Sequence, residues 1–163
     1  MFESITSFTV DHTDMEPGVY ERDLKNNIKT WDLRFKRPNK GEYLSPEVLH
    51  TLEHFLATYF KNVMKDTVYY FGPMGCQTGF YLLTESHVSK RTVLVGLLGA
   101  HAYVMSTEEI PGATLEACGQ AALQDLEGAR KEFDKFYSEV LINAELEVCK
   151  DLLGPWRGVL END

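Results

Sequence analysis

His50 and His54 stand four residues apart with Glu53 between them, in the string His50-Thr51-Leu52-Glu53-His54. On a helix such positions lie one turn apart on one face, so both imidazoles can address a single ion. Glu53, three residues after His50, comes within reach of that ion's open side. An acid or base then sits beside a Lewis acid. The order His-x-x-Glu-His is the reverse of the common zinc-peptidase motif and points to a metalloenzyme. The same residue types would also suit an ordinary helix with two surface histidines.

A metal held by two histidines needs a third protein ligand, and Cys118, in Glu116-Ala117-Cys118-Gly119, is the best candidate. Two histidines and a cysteine with an open fourth position describe a catalytic site, whereas a structural zinc is closed by four protein ligands. The competing reading of Cys118 is a buried strand cysteine. Cys149, among Leu146, Val148 and Leu152, is expected in the core. A second chemical segment runs from Gly72 to Tyr81, where three glycines and Pro73 keep the backbone open around Cys76. Reactive thiols are placed in such loops, and a nearby cation would make Cys76 a usable base and, protonated, a usable acid. A tight turn around a buried cysteine is the alternative. The third segment, Ser7-Phe8-Thr9-Val10-Asp11-His12-Thr13, ends in polar groups. His12 there suits a cap or surface role, and His87 and His101 are read as structural.

These residues need elements to position them. Ser45 as N-cap and Pro46 as first helical residue start a helix expected to run to about Met64. Its core stripe is Leu49, Leu52, Leu56, Tyr59, Phe60 and Val63. A second stripe, His50, His54, Ala57 and Lys61, resembles a pocket lining. Strands are expected over 4–11, 28–35, 67–71, 77–84 and 113–118, where short β-branched or aromatic runs are bounded by Gly, Pro or Asn. Helices are expected over 46–63, 86–104, 121–143 and 145–152, with Trp156 docking in the tail. The fold class that follows is α+β: an antiparallel sheet of four to five strands covered by about four helices, a two-layer sandwich in one domain over residues 1–163.

Composition agrees with small-molecule chemistry. The 163 residues, 44% of them hydrophobic and 12% aromatic, suffice for a real core. A net charge of −9, with no basic stripe beyond Leu33-Arg34-Phe35-Lys36-Arg37, argues against nucleic-acid or anionic-membrane partners. The longest apolar run, 92–100, is too short to span a bilayer, and no basic-then-apolar leader pattern is seen, so a cytoplasmic protein is expected. Three cysteines in that compartment argue against a disulfide framework.

Six strings occur in an order that resembles the S-ribosylhomocysteine lyase (LuxS) family. They are Ser7 to Thr13, Asp32-Leu33-Arg34-Phe35, Pro38-Asn39-Lys40, His50 to His54, Pro73-Met74-Gly75-Cys76 with Thr78-Gly79-Phe80-Tyr81, and Cys118-Gly119. From Gln120 on the resemblance rests on a helix pattern alone. It implies a cytoplasmic homodimer that cleaves the thioether of S-ribosylhomocysteine to homocysteine and 4,5-dihydroxy-2,3-pentanedione, the precursor of a quorum-sensing signal. It further implies one divalent metal per subunit, natively ferrous iron with zinc or cobalt as substitutes, on His50, His54 and Cys118. The family's acid/base residues match Glu53 and Cys76. Its substrate contacts match Ser7, His12 and Arg34, the first two supplied by the partner subunit. Lys61, where many relatives carry arginine, and Tyr69-Tyr70-Phe71, where relatives carry an acidic and a small residue, depart from the pattern. Lysine cannot copy arginine's bidentate fork. The rival readings are a small metallopeptidase of the reversed-motif type and a non-catalytic, metal-stabilised interaction domain.

Overall fold

The helix that carries the histidines forms for the reasons its sequence suggests. In a computed structural model that describes residues 2–153, α2 runs Pro46–Val63, and the Ser45 hydroxyl accepts the Val48 N–H at 3.2 Å. Leu49, Leu52, Leu56 and Phe60 are buried, as the period requires. Val63, expected in the same stripe, is exposed, because it is the last helical residue and the chain turns away to the sheet.

Four strands make one antiparallel sheet in the order β1-β2-β4-β3: β1 Gly18–Lys25, β2 Ile28–Arg34, β3 Val68–Pro73 and β4 Gly79–Glu85. The sheet and the helices over it form the expected α+β sandwich. Two of the five expected strands are absent. Residues 4–11 instead hold a short helix, α1 (Thr6–Thr9), whose turn is closed by Phe8 N–H to Ile5 O and by the Thr9 hydroxyl to Thr6 O. Residues 113–118 form turns, with the backbone N–H groups of Ala117 and Cys118 both satisfied by Thr114 O. In both segments local hydrogen bonds prevail over β-propensity. In their place stands β1, joined to β2 by Asn26 and Asn27, both at positive φ, as a two-residue hairpin turn requires.

The remaining helices are α3 (Lys90–Ser106), α4 (Leu126–Phe136) and α5 (Ile142–Leu153), the last two joined by a π-helical segment, Tyr137–Leu141. The helix expected from 121 therefore starts at 126, where the Asp125 carboxylate accepts the Gly128 N–H at 2.8 Å. The separate helix expected at 145–152 is absorbed into α5. Cys149, expected in the core, is exposed on that helix. Trp156 lies outside the described residues.

One sheet face carries Trp31, Leu33, Phe80 and Leu82, all 0% exposed, against the helices. Aromatic contacts run through this core: Phe136 stacks on Phe35 at 4.1 Å, Phe35 meets Phe80 at 5.2 Å, and Phe80 meets Phe71 at 5.2 Å. Phe80 is one of the two inner rings of that series. Truncating Phe80→Ala is expected to cost about 3–5 kcal/mol of unfolding free energy, the usual range for a buried phenylalanine. Urea denaturation measures it, and a loss below about 1 kcal/mol would show that the layer repacks around the gap.

Candidate metal centre

α2 presents His50 and His54 one turn apart, and each ring is fixed from behind. The Nδ1–H of His50 donates to Leu123 O at 2.7 Å, and that of His54 donates to Pro111 O at 2.6 Å. A carbonyl can only accept, so both protons sit on Nδ1 and both Nε2 lone pairs are left free. Those two Nε2 atoms face each other at 3.0 Å, and Cys118 Sγ lies 3.4 Å from His50 Nε2. The three ligand atoms all fall within 4.8 Å of one another.

Two lone pairs aimed at one another repel unless a cation lies between them. The donor set therefore fits a metal ion, and backbone acceptors behind the imidazoles are the usual support of metal-binding histidines. Metal–ligand bonds of about 2.0–2.3 Å at tetrahedral angles separate ligand atoms by roughly 3.3–3.6 Å, within a few tenths of the two distances His50 Nε2 makes to His54 Nε2 and Cys118 Sγ. The Gln120 N–H points at Cys118 Sγ from 3.4 Å, a donor suited to a thiolate.

The supports come from the long connection between α3 and α4. Pro111 and Gly112 are the central residues of a turn closed by Ala113 N–H to Ile110 O, with Gly112 at φ +66°. That conformation favours glycine and aims the Pro111 carbonyl at His54. Neither Leu123 nor Pro111 stands out in the sequence as a functional residue, since each acts through its backbone; the Pro-Gly pair was the one available sign of a turn.

Glu53 is half-buried and lines a cleft of about 640 Å³ with His50, Leu49, Met74, Gly75 and Gly119. The loop between β3 and β4 closes one side of this cleft. There a turn over Met74–Gln77 is followed by the close pairing of Gly79 with Arg34, where a Cβ on Gly79 would lie 2.2 Å from Leu33 O. Cys76, exposed at this turn, has its Sγ 3.1 Å from Thr78 Oγ1 and 3.9 Å from Arg34 Nη1. Burial pushes the Cys76 thiol up, but the Thr78 hydroxyl and N–H and the Arg34 charge outweigh it and hold the thiol below the ordinary cysteine range.

Ser7, His12 and Arg34 line a second depression of about 610 Å³, on the sheet face away from the main helices, together with Tyr70 and Tyr81. His12 Nδ1–H donates to Val10 O at 2.7 Å. Arg34 is buried and binds Asp32 through both Nε and Nη2. The chain thus brings His50, His54, Cys118 and Glu53 to one place and Ser7, His12 and Arg34 to another, with Cys76 linked to the second through Arg34. His87 pairs with Glu85 at the surface, and His101 stacks on Tyr137 and meets Asp134.

Comparison with known proteins identifies the family. The family model for S-ribosylhomocysteinase (LuxS) matches residues 5–147. The S-ribosylhomocysteine lyase of Desulfotalea psychrophila is 40% identical over 148 residues, 86% of this chain and 93% of that protein. Those of Borreliella burgdorferi and Phocaeicola vulgatus are 40% and 36% identical, over 91% and 85% of this chain and 98% and 91% of their own. The chain belongs to the S-ribosylhomocysteinase family. The peptidase and interaction-domain readings are not favoured.

If Cys118 is a ligand, Cys118→Ala leaves two protein ligands of three. Bound metal is then expected to fall steeply, by the 10-fold or more in affinity that disruption of a metal's ligand environment typically costs. Elemental analysis after dialysis decides it, and full occupancy would remove Cys118 from the site.

Proposed function

We propose that this chain is a cytoplasmic, single-domain lyase over residues 1–163 that cleaves S-ribosylhomocysteine to homocysteine and 4,5-dihydroxy-2,3-pentanedione, the precursor of a quorum-sensing signal. The observation that carries the reading is the convergence of two imidazole lone pairs and one thiol beside Glu53, in a member of this family. His50, His54 and Cys118 would hold one divalent ion, ferrous iron in this reading. When bound, the ion supplies Lewis-acid polarisation of the substrate oxygens.

The substrate dictates what the side chains do. Its carbonyl begins at C1 while sulfur is on C5, and elimination needs an acidic C–H next to a carbonyl. The carbonyl must therefore move to C3 by two successive enediol shifts, each taking a proton from one carbon and returning it to its neighbour. Glu53, half-buried in the cleft, and Cys76, held towards its thiolate form, are the groups that move these protons. With the ketone at C3, removal of the C4 proton expels the homocysteine thiolate from C5. Ser7, His12 and Arg34 would recognise substrate, and in a homodimer the partner subunit would supply the first two. No helix among the described residues is long and apolar enough to cross a membrane.

Anaerobic incubation with ferrous iron and S-ribosylhomocysteine, followed by titration of the released thiol, tests the activity. Glu53→Gln and Cys76→Ala are expected to keep the metal and lose turnover by about 10²–10⁴-fold, the usual range for an acid/base group. A Cys76→Ala chain releasing homocysteine at the parental rate would remove Cys76 from the chemistry.

Sharing of sites between subunits has its own test. When inactive His12→Ala and Glu53→Gln chains are mixed after reversible dissociation, each mixed dimer has one site with Glu53 from one chain and His12 from the other. Random pairing and two-fold symmetry then return about a quarter of wild-type activity. Mixed dimers seen by mass spectrometry without recovered activity would mean that His12 acts within its own subunit or not at all.

A further inference from the structure

Arg34 is 2% exposed, and its guanidinium is fully engaged on the sheet face away from the main helices. Nε and Nη2 reach Asp32 Oδ1 and Oδ2 at 3.1 and 2.7 Å, and Asp32 is held in turn by Arg22 Nε at 3.1 Å. The remaining nitrogen, Nη1, donates to Thr78 Oγ1 at 2.6 Å, whereas Cys76 Sγ is 3.9 Å away, at the outer limit of a sulfur hydrogen bond.

Thr78, also 2% exposed, has one hydroxyl proton. A guanidinium N–H can only donate, so the Thr78 oxygen accepts it and its own proton is left for another acceptor. Cys76 Sγ, 3.1 Å from that oxygen, is the acceptor in place. A thiolate can only accept, so with Cys76 in that form the contacts run in one direction, from Arg34 to Thr78 to Cys76. A hydroxyl whose oxygen binds a cation is a stronger donor, and a thiolate accepts more strongly than a thiol.

We propose that Thr78 is a positioning residue for Cys76, its hydroxyl passing the influence of the Arg34 cation to the sulfur and holding that sulfur as a thiolate. This rests on the reading of Cys76 as an acid/base group. Two further observations agree with it. The Thr78 carbonyl accepts the N–H groups of both Phe35 and Lys36, at 2.9 and 3.0 Å, so the hydroxyl is fixed relative to Arg34 by backbone as well as side chain. The hydroxyl and N–H of Thr78 are also the largest of the influences that favour the thiolate.

The test is alkylation of Cys76 by iodoacetamide in the full, metal-loaded chain, followed at its own peptide by mass spectrometry over a pH series. Thr78→Val removes the hydroxyl at nearly constant volume. It is expected to move the Cys76 reactivity midpoint upward and slow alkylation about tenfold at a fixed pH below that midpoint, the usual effect of losing a hydrogen bond to a charged group. Thr78→Ser is expected to keep the wild-type profile. An unchanged midpoint in Thr78→Val, or equal slowing in the valine and serine chains, would overturn the relay. If circular dichroism shows the valine chain unfolded, Thr78→Ala against Thr78→Ser decides by the same two outcomes. The acid/base reading fails separately: Cys76→Ala turning over at the parental rate sinks it, while a Thr78-dependent midpoint would leave the relay standing.

Discussion

Two hydrogen bonds, from His50 to Leu123 O and from His54 to Pro111 O, hold the candidate centre together. They join α2 to a connection, residues 107–125, that has turns but no regular helix or strand. Structureless connections of such length are uncommon, and those that are ordered are usually functional. Here the order comes from α2. The Thr51 hydroxyl, one residue after His50, donates to Gln124 Oε1 and accepts the Asp125 N–H, and Asp125 then caps α4. The contacts that fix the imidazoles thus lie beside those that set where α4 begins. Each bond nets only about 1 kcal/mol, but losing one would release the ring as well as the loop.

The sheet has two chemically different faces, and each serves the site in its own way. On the helix side, apolar burial holds α2 in register against β3. On the other side Asp32 and Arg34, two residues apart on β2, are buried as a bidentate pair. Burying two charges is costly unless every remaining donor is satisfied. Asp32 meets that condition through Arg22, and Arg34 through Thr78. The same alternation that puts Trp31 and Leu33 in the core puts this pair beneath the Cys76 loop.

Much of this was legible in the sequence, and the gaps have physical causes. α2 could be read from its cap to its last turn because period, N-cap and Pro46 agree. β2, β3 and β4 were visible from β-branched and aromatic runs. β1 was hidden because Glu21, Arg22, Asp23 and Lys25 make an outward, charged edge strand, the composition that deters edge pairing with other chains. The opposite error arose at 113–118, where Thr114, Leu115 and Cys118 look strand-like although Leu115 is 88% exposed and the backbone closes on Thr114 O. The metal-type residues could be named from spacing and resemblance, but the carbonyls that orient them could not, because backbone acceptors leave no trace in residue type. Lys61, read as a possible pocket residue, instead reaches the Val68 and Tyr69 carbonyls and ties the end of α2 to β3. Two separate carbonyls suit a flexible ammonium as well as a planar fork, so a lysine is adequate there.

The cysteines show how environment divides one residue type among roles. Cys118 lies at the end of a tight turn with the His50 lone pair 3.4 Å from its sulfur and the Gln120 N–H behind it, so its sulfur is directed at the imidazoles. Cys76 has no imidazole among its hydrogen-bond partners in the described structure; its neighbours are a hydroxyl and a guanidinium, which favour negative charge without competing for it as ligands. A thiolate bound to a metal cannot also move protons, and one that moves protons must stay free of the metal. Under the proposed assignment, placing the two sulfurs on different loops would keep those functions apart while letting both loops border the same cleft.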